Sequence, residues 1–253
     1  MNVNENNEEV KTEPAVKFER VERKRYGRER VNEAERMAER IASWIPKTKL
    51  GIMVKEGKIK DIDEILDKNI RILEPEIVDS LIKTENDLLF AGQSKGKFGG
   101  GKRRAWRQSQ KKTEEGNVVT FSSVVIIGDK NGHVGMGIGK SKETLPAREK
   151  AIRKAKLNII KVKRGSGSFE GSSEELHSIP FKVEGKCGSV RIILTPAPQG
   201  TGLVIGKEGR KILKLAGIKD IYSKSWGQTR TTINYATAIM IALKKLNEFK
   251  LSK

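Results

Sequence analysis

Three glycines alternate in the segment 132–141, GHVGMGIGKS, and this alternation restricts how the chain can fold there. Residues two apart lie on the same face of a β-strand, so Gly135, Gly137 and Gly139 form a face without side chains. Such a face lets another element approach closely. The next segment, TLPAREKAIRKAKLNIIKV, is typical of a helix with a stripe of small residues (Ala147, Ala151 and Ala155). We predict that this stripe packs against the glycine face.

The same segment ends in Gly-Lys-Ser, which raises the question of a nucleotide-binding loop. A P-loop needs a glycine at position 134, where Val134 stands, and GxGxxG needs one where Lys140 or Lys142 stands. The sequence also offers no nucleophile–base pair, carboxylate dyad or metal-ligand set, with one cysteine and two histidines. We therefore predict a protein that is not an enzyme and has no cofactor or metal.

The net charge of +19 is unevenly distributed along the chain. Residues 1–90 contain 18 of the 51 Lys and Arg and 20 of the 32 Asp and Glu, which leaves 33 basic and 12 acidic residues in 91–253. An excess of this size indicates a polyanionic partner, most often nucleic acid. A membrane surface is disfavoured because no basic amphipathic helix carries large apolar anchors.

Local patterns outline the remaining elements. Residues 1–30 are charged and poor in apolar residues, which is typical of disorder, and a helix is predicted around residues 31–44. KTKLGIMVKEGKI is expected to be extended, and two short helices follow it. NVVTFSSVVIIG and HVGMGIG form a predicted hairpin around DKNG.

The segment 93–112 is predicted to be a long loop between two strands. It has eight basic residues, no acidic residue, and aromatic rings at Phe98 and Trp106 that could stack on unpaired bases. The predicted helix after the glycine strand presents a basic arc opposite its small-residue stripe. That arc contains Lys150, Arg153, Lys154 and Lys156.

Two sequence stretches together resemble the fifth small-subunit ribosomal protein family. These are VVIIGDKNGHVGMGIGKSKE…AREKAIRKAKLNI and GSVRIILTPAPQGTGLV…ILKLAGIKDIYSKSWG. WIPKTKLGIMVKEGKIKDIDEIL and RTTINYA resemble the archaeal and eukaryotic branch. The loop 93–118 is longer than is usual in the family.

The resemblance implies an α+β protein of two domains with a helical N-terminal extension. The first domain is similar to double-stranded-RNA-binding folds, with an antiparallel three-stranded sheet and a helix, and the second contains a left-handed βαβ crossover. We predict a disordered tail over 1–30, the extension over 31–86, the first domain over 87–164, a linker over 165–178 and the second domain over 179–253.

The resemblance also implies a structural role in the cytoplasmic ribosome. The expected partners are small-subunit rRNA at the head–body junction, the fourth and eighth small-subunit proteins, and mRNA near its entry channel. Effects on subunit assembly and translational accuracy follow from that position. Neither a membrane nor a second copy of the chain is an expected partner. By resemblance, Gly188, Ser189 and Arg191 face the fourth protein.

We predict RNA contacts from basic and neighbouring residues of both domains. They are Lys95, Lys97, Lys102, Arg103, Arg104, Trp106, Arg107, Lys111, Lys112, Lys130, Asn131, His133, Lys140, Lys142, Lys150, Arg153, Lys154, Lys161, Lys163, Arg164, Lys224 and Arg230.

The alternative binding module is a KH domain acting outside the ribosome. Gly206-Lys207-Glu208-Gly209 matches its GxxG clamp for a single-stranded backbone. A KH fold requires a helix before the clamp, whereas RIILTPAPQGTG predicts a strand and a loop. A tight turn that opens a helix explains both glycines more simply.

Overall fold

The computed structural model describes residues 41–94, 103–166 and 176–248. Residues 41–43 are helical, and six further helices are assigned in these ranges: α1 (Lys49–Lys55), α2 (Ile62–Asp67), α3 (Pro75–Leu81), α4 (Thr144–Leu157), α5 (Lys207–Leu215) and α6 (Thr232–Glu248). The strands are β1 (Glu85–Leu88), β2 (Trp106–Thr113), β3 (Gly116–Gly128), β4 (His133–Ser141), β5 (Ile159–Lys161), β6 (Val183–Cys187), β7 (Val190–Pro196), β8 (Leu203–Val204) and β9 (Ile221–Trp226). The predicted tail 1–30 and most of the helix predicted around 31–44 lie outside the described residues.

The first sheet is antiparallel and contains five strands in the order β1-β3-β4-β5, with β2 also paired to β3. Two more strands are present than the prediction gave, because β3 is 13 residues long and pairs with two segments on one edge. β1 pairs with its last four residues, and β2 pairs with Gly116 to Ser123. The α+β class is confirmed.

The glycine face of β4 lies directly against α4. A Cβ atom built on Gly137 would lie 2.2 Å from the Ala151 carbonyl oxygen, and one on Gly139 would lie 1.9 Å from that of Ala147. Gly135 meets the Ala155 carbonyl oxygen in the same way, at 2.4 Å. The predicted packing of the small-residue stripe against the glycine strand is therefore confirmed.

The second domain is a four-stranded sheet in the order β6-β7-β9-β8, with α6 packed on β6 and β7. β8 and β9 are parallel and α5 connects them, so this part is a βαβ unit. The left-handed sense of that crossover stays a prediction. Ile192, Leu194 and Ile239 are fully buried in the core between the sheet and the helices.

The two domains share one continuous core and a direct backbone contact. Val124 and Ile126 of β3 belong to the same buried cluster as Ile192 of β7. At the edge of this cluster, the Lys130 N–H donates a 2.9 Å hydrogen bond to the Leu215 carbonyl oxygen at the end of α5. The turn after β3 is thereby fixed to the βαβ unit.

The extension forms a second core on the outer side of the first domain. Trp44, Ile65 and Ile77 are buried there together with Ile159 of β5. The extended conformation predicted for KTKLGIMVKEGKI is wrong, because residues 49–55 form α1. Thr48 is the N-cap, and its Oγ1 accepts a 3.1 Å hydrogen bond from the Gly51 N–H. Such a cap satisfies an amide that has no partner within the helix.

Candidate nucleic-acid interface

The basic arc of α4 is largely, but not completely, on the surface. Lys150, Arg153 and Lys154 are exposed, and none of them forms an ion pair with a described acidic side chain. Lys156 does not belong to this surface, contrary to the prediction. It is buried, with Nζ 2.6 Å from Oδ1 of Asp79 on α3. The arc therefore offers three cations to a phosphate backbone, and its fourth member fixes the extension.

A two-stranded ribbon replaces much of the predicted loop 93–112. The prediction of a loop is wrong for residues 106–113, because they form β2 and pair with β3 in continuous register. All eight residues of β2 are exposed. The hydroxyls of Ser109 and Thr120 hydrogen-bond across the strands at 2.8 Å. The ribbon is thus a formed element that carries Arg107, Lys111 and Lys112 into solvent.

The two ends of this ribbon differ in charge. Glu114 and Glu115 occupy the turn at its tip, directly after Lys111 and Lys112. Carboxylates repel phosphate, so the tip is the less suitable end for RNA. Trp106, at the base, is 40% exposed and paired with Ser123, which leaves a ring face available for stacking.

Three arginines from both domains line one cavity at the base of the ribbon. Arg103, Arg107 and Arg230 surround a space of about 520 Å³, and none of its described lining residues is acidic. Nη1 of Arg103 donates a 3.0 Å hydrogen bond to the Arg230 carbonyl oxygen, which holds the two segments together. We call this site the arginine cavity. Guanidinium groups bind phosphate with two parallel hydrogen bonds, so the cavity is suited to a phosphodiester.

His133 has intramolecular partners on both ring nitrogens. Nδ1 lies 2.6 Å from Oδ2 of Asp129, and Nε2 lies 2.7 Å from Oδ1 of Asp63 on α2. Burial alone would lower the pKa of His133, but the hydrogen bonds to the two carboxylates outweigh it and raise the pKa. For Asp63 and Asp129, burial would raise the pKa, and the hydrogen bonds with His133 help to lower it instead.

Lys161 joins the same set of ion pairs through Asp63, and Lys130 forms a separate pair. Nζ of Lys161 lies 3.0 Å from Asp63 and 3.1 Å from Asp67. Burial would lower the pKa of Lys161, but its hydrogen bonds to both carboxylates raise it. Lys130 pairs with Glu85 at 2.5 Å. These contacts hold the extension on the first domain, a role that the basic residues alone do not reveal.

The other predicted RNA contacts of the first domain are distributed around its edges. Lys140 and Lys142 are exposed at the end of β4, and Asn131 is exposed in the β3–β4 turn. Arg164 donates hydrogen bonds to the carbonyl oxygens of Lys130 and Asn131. Arg104 is exposed and Lys163 is half-buried. Lys95, Lys97 and Lys102 lie outside the described residues.

The second domain carries the remaining predicted contacts. Lys224 is exposed on β9, with Nζ 5.3 Å from the Trp226 ring centre. Gly188 and Ser189 form the β6–β7 turn, where Gly188 has φ +58. Nε of Arg191 pairs with Oε1 of Glu184 at 2.9 Å across the two strands.

The glycine motifs that suggested other functions have structural roles. GHVGMGIGKS is mostly the β4 strand, and no phosphate loop forms there. Gly206 is the N-cap of α5, and β8 rather than a helix precedes it, which contradicts a KH arrangement. Within the described residues, no group of three or more metal-ligating side chains occurs, and no helix is long and apolar enough to cross a membrane.

Both domains match models of one protein family. Residues 103–163 match the N-terminal domain of ribosomal protein S5, and residues 185–252 match its C-terminal domain. The chain belongs to the ribosomal protein S5 family. The resemblance read from the sequence is thereby confirmed, and a role outside the ribosome as a KH protein is not favoured.

Archaeal members of the S5 family are similar over most of the chain. The small ribosomal subunit protein uS5 of Nanoarchaeum equitans is 52% identical over 211 residues, which cover 83% of this chain and 90% of the relative. Its counterpart in Methanobrevibacter smithii is 46% identical over 218 residues, covering 86% and 95%. That of Methanocaldococcus jannaschii is 48% identical over 207 residues, covering 82% and 89%.

Two lysines of this S5 family member were not singled out by the sequence. Lys214 and Lys219 flank the end of α5 and line a second cavity with Lys130 and Arg164. The four residues are spread over residues 130–219, so no local motif unites them. Only the fixed contact between the β3–β4 turn and α5 brings them together.

Proposed function

We propose that this S5 family protein is a structural constituent of the small ribosomal subunit that binds rRNA at the head–body junction. Its phosphate contacts come from the arginine cavity, the base of the ribbon and the exposed arc of α4. The arginine cavity carries the proposal, because it concentrates three guanidinium groups from two domains where no described acidic side chain neutralises them.

The exposed arc of α4 supports the same proposal. Lys150, Arg153 and Lys154 lie on the side of the helix opposite its buried alanines, which rest on the glycine strand. The close backbone packing fixes the helix and therefore the direction in which these cations point. Because the helix is already fixed, only the side-chain rotamers of these three residues lose conformational entropy when they bind an RNA backbone.

His133 and Lys161 have a different role in this proposal. Carboxylates of the extension occupy Nε2 of His133 and Nζ of Lys161, and Asp129 occupies Nδ1 of His133. Breaking those pairs to reach RNA would leave partly buried charges without partners. We assign them to the attachment of the extension. Proposed rRNA contacts are therefore concentrated on Arg107, Arg230 and the α4 arc.

The contacts with other subunit components are also part of the proposal. Membership of the S5 family supports neighbours that include the fourth and eighth small-subunit proteins and mRNA near its entry. The turn Gly188–Ser189 with Arg191 faces the fourth protein, and influences assembly and decoding accuracy from there. Arg191→Gln in assembled subunits should change the error frequency of a misreading reporter, and an unchanged frequency would contradict this assignment.

A salt titration of RNA binding tests the arginine cavity. The full chain is bound to a small-subunit rRNA transcript, and the slope of log affinity against log salt is measured. The Arg107→Gln and Arg230→Gln variants should each flatten the slope by ~0.7–0.9, the contribution of one neutralised phosphate. The double variant should flatten it by about twice that amount if the two arginines act independently.

Arg191→Gln is the matched control, because this arginine is already paired with Glu184 and lies outside the cavity. It should keep the slope of the parent chain. Equal slopes for the parent and the Arg107→Gln/Arg230→Gln variant would contradict the assignment of the cavity. Binding that does not depend on salt would contradict the proposed function itself.

A further inference from the structure

We propose that Glu208 of α5 is a positioning residue for the arginine cavity. This inference rests on the proposed function and deepens it, because it names an acidic residue of the second domain that holds one wall of the RNA site. Residues 91–94 form that wall. The Phe90 N–H, directly before the wall, donates a 3.0 Å hydrogen bond to Oε2 of Glu208. Glu208 is not among the described residues that line the cavity, so it acts on RNA binding through this segment.

The wall is tied to one of the arginines of the cavity. The Gly92 N–H donates a 2.9 Å hydrogen bond to the Arg104 carbonyl oxygen. Ser94 and Arg103 form an antiparallel bridge. Because residues 92–94 pair with the segment that carries Arg103, a shift of the wall also moves a guanidinium group of the cavity.

The segment on both sides of Phe90 is fixed. Leu89 is fully buried, and its N–H donates a 3.0 Å hydrogen bond to the Val124 carbonyl oxygen of β3. A Cβ atom built on Gly92 would lie 2.1 Å from the Trp106 carbonyl oxygen, so the wall cannot move toward the ribbon. Phe90 itself is 42% exposed, and contacts with α5 rather than burial of its ring hold it in place.

Lys211 completes the attachment of Phe90 to α5. Its Nζ lies 3.9 Å from the centre of the Phe90 ring and donates a 2.6 Å hydrogen bond to the Leu88 carbonyl oxygen. The same Nζ lies 3.7 Å from Oε2 of Glu208, and the two side chains are only 21% and 15% exposed. A hydrogen bond from an amide to a carboxylate that is shielded from water is stronger than one between neutral groups. Glu208 can therefore fix the backbone of this segment.

The competing explanation is that Glu208 acts only through its charge. A carboxylate near an RNA-binding surface repels phosphate, so its removal should strengthen binding. Its negative charge also favours the first turn of α5, and loss of that effect lowers Tm without weakening RNA binding. The positioning role predicts the opposite for RNA, because a chain that keeps the charge but cannot reach Phe90 should bind more weakly.

Two substitutions separate reach from charge. Glu208→Asp keeps the charge, but its side chain is shorter by roughly 1.5 Å, so the 3.0 Å hydrogen bond to the Phe90 N–H is lost. Glu208→Gln loses the charge and keeps an acceptor oxygen at the same reach. Each full-length chain is titrated with a small-subunit rRNA transcript at a temperature where circular dichroism shows it folded. The affinity should fall roughly tenfold for Glu208→Asp, the loss of one charge-assisted hydrogen bond, and stay close to that of the parent for Glu208→Gln.

Glu149→Asp is the matched control, because Glu149 is exposed on α4 and lies outside the described lining of the cavity. It should bind RNA as the parent does. Glu208→Asp is also made in the Arg107→Gln/Arg230→Gln chain. It should have little further effect on affinity there, because two of the three guanidinium groups of the cavity are already gone.

Three results would overturn the positioning role. If Glu208→Asp binds like the parent, the hydrogen bond to Phe90 does not position the wall. If Glu208→Asp and Glu208→Gln weaken binding equally, the acceptor oxygen is not what matters. If Glu208→Asp weakens binding as strongly in the Arg107→Gln/Arg230→Gln chain as in the parent, it acts outside the cavity. Failure of the proposed function gives a different result, because the Arg107→Gln/Arg230→Gln chain itself then keeps the parent salt slope, and the positioning role is overturned with it.

Discussion

Gly137→Ala tests the packing that defines the first domain. The added Cβ would lie 2.2 Å from the Ala151 carbonyl oxygen and 2.3 Å from the Ala155 backbone nitrogen. Ordinary contact begins near 3.4 Å, so α4 would have to move by about 1.2 Å relative to β4. Both opposing atoms belong to the helix backbone, and no side-chain rotation can relieve the overlap.

The expected cost of this substitution follows from the overlap. Overpacking of this kind lowers the free energy of unfolding by roughly 1–3 kcal/mol, and the reduced entropy of the unfolded chain offsets about 0.4–1 kcal/mol of it. At ~2–4 °C per kcal/mol for a chain of this size, Tm should fall by several degrees. Calorimetry of the full chain measures this shift.

Lys140→Ala is the control for Gly137→Ala, because it lies on the same strand with its side chain exposed. It should leave Tm nearly unchanged. A Gly137→Ala variant that melts with the parent chain would refute the close packing, and the glycines would then need another explanation.

Three other substitutions test the contacts between parts of the fold. Gly217→Ala should lower Tm, because Gly217 has φ +79 and its Cβ would lie 2.0 Å from the Lys130 carbonyl oxygen; an unchanged Tm would argue against the rigid junction. Because the pKa of His133 is raised in the folded protein, the stability that its charged ring contributes to the fold is fully present below its ordinary pKa of 6.5. That contribution is lost as pH rises through the raised pKa of the folded protein. The hydrogen-exchange protection factors of α2, which are corrected for the intrinsic effect of pH on exchange, should therefore fall over that rise, and His133→Gln should remove this fall. Lys156→Met should cost about 3–5 kcal/mol by leaving the Asp79 carboxylate, only 11% exposed, without its partner. Lys156→Met/Asp79→Leu should recover much of that stability in urea unfolding.

The sequence was most informative where local pattern and packing agree. The alternating glycines and the alanines of α4 predicted their mutual contact, because both periodicities point to one interface. Gly206 was correctly interpreted as the start of a helix, since a strand pattern preceded it. In these segments, the local preference and the tertiary contact favour the same structure.

The errors arose where distant contacts decide the structure. β2 is polar and looks like a loop, and it is a strand because β3 is long enough to provide a pairing edge. Lys156 looks like a surface residue, and it is buried because Asp79 of the extension reaches it. His133 was grouped with RNA contacts, whereas Asp63, 70 residues earlier, occupies its ring nitrogen. A carboxylate partner so far away leaves no signal near the residue itself.

Crosslinking of intact small subunits that contain this chain tests the central claim most directly. Ultraviolet irradiation followed by mass spectrometry identifies peptides joined to rRNA nucleotides. We predict RNA adducts on the peptides that contain Arg107, Arg230 and the exposed arc of α4, and none on the buried Lys156. Adducts confined to other surfaces, or a chain that does not enter the subunit, would contradict the account.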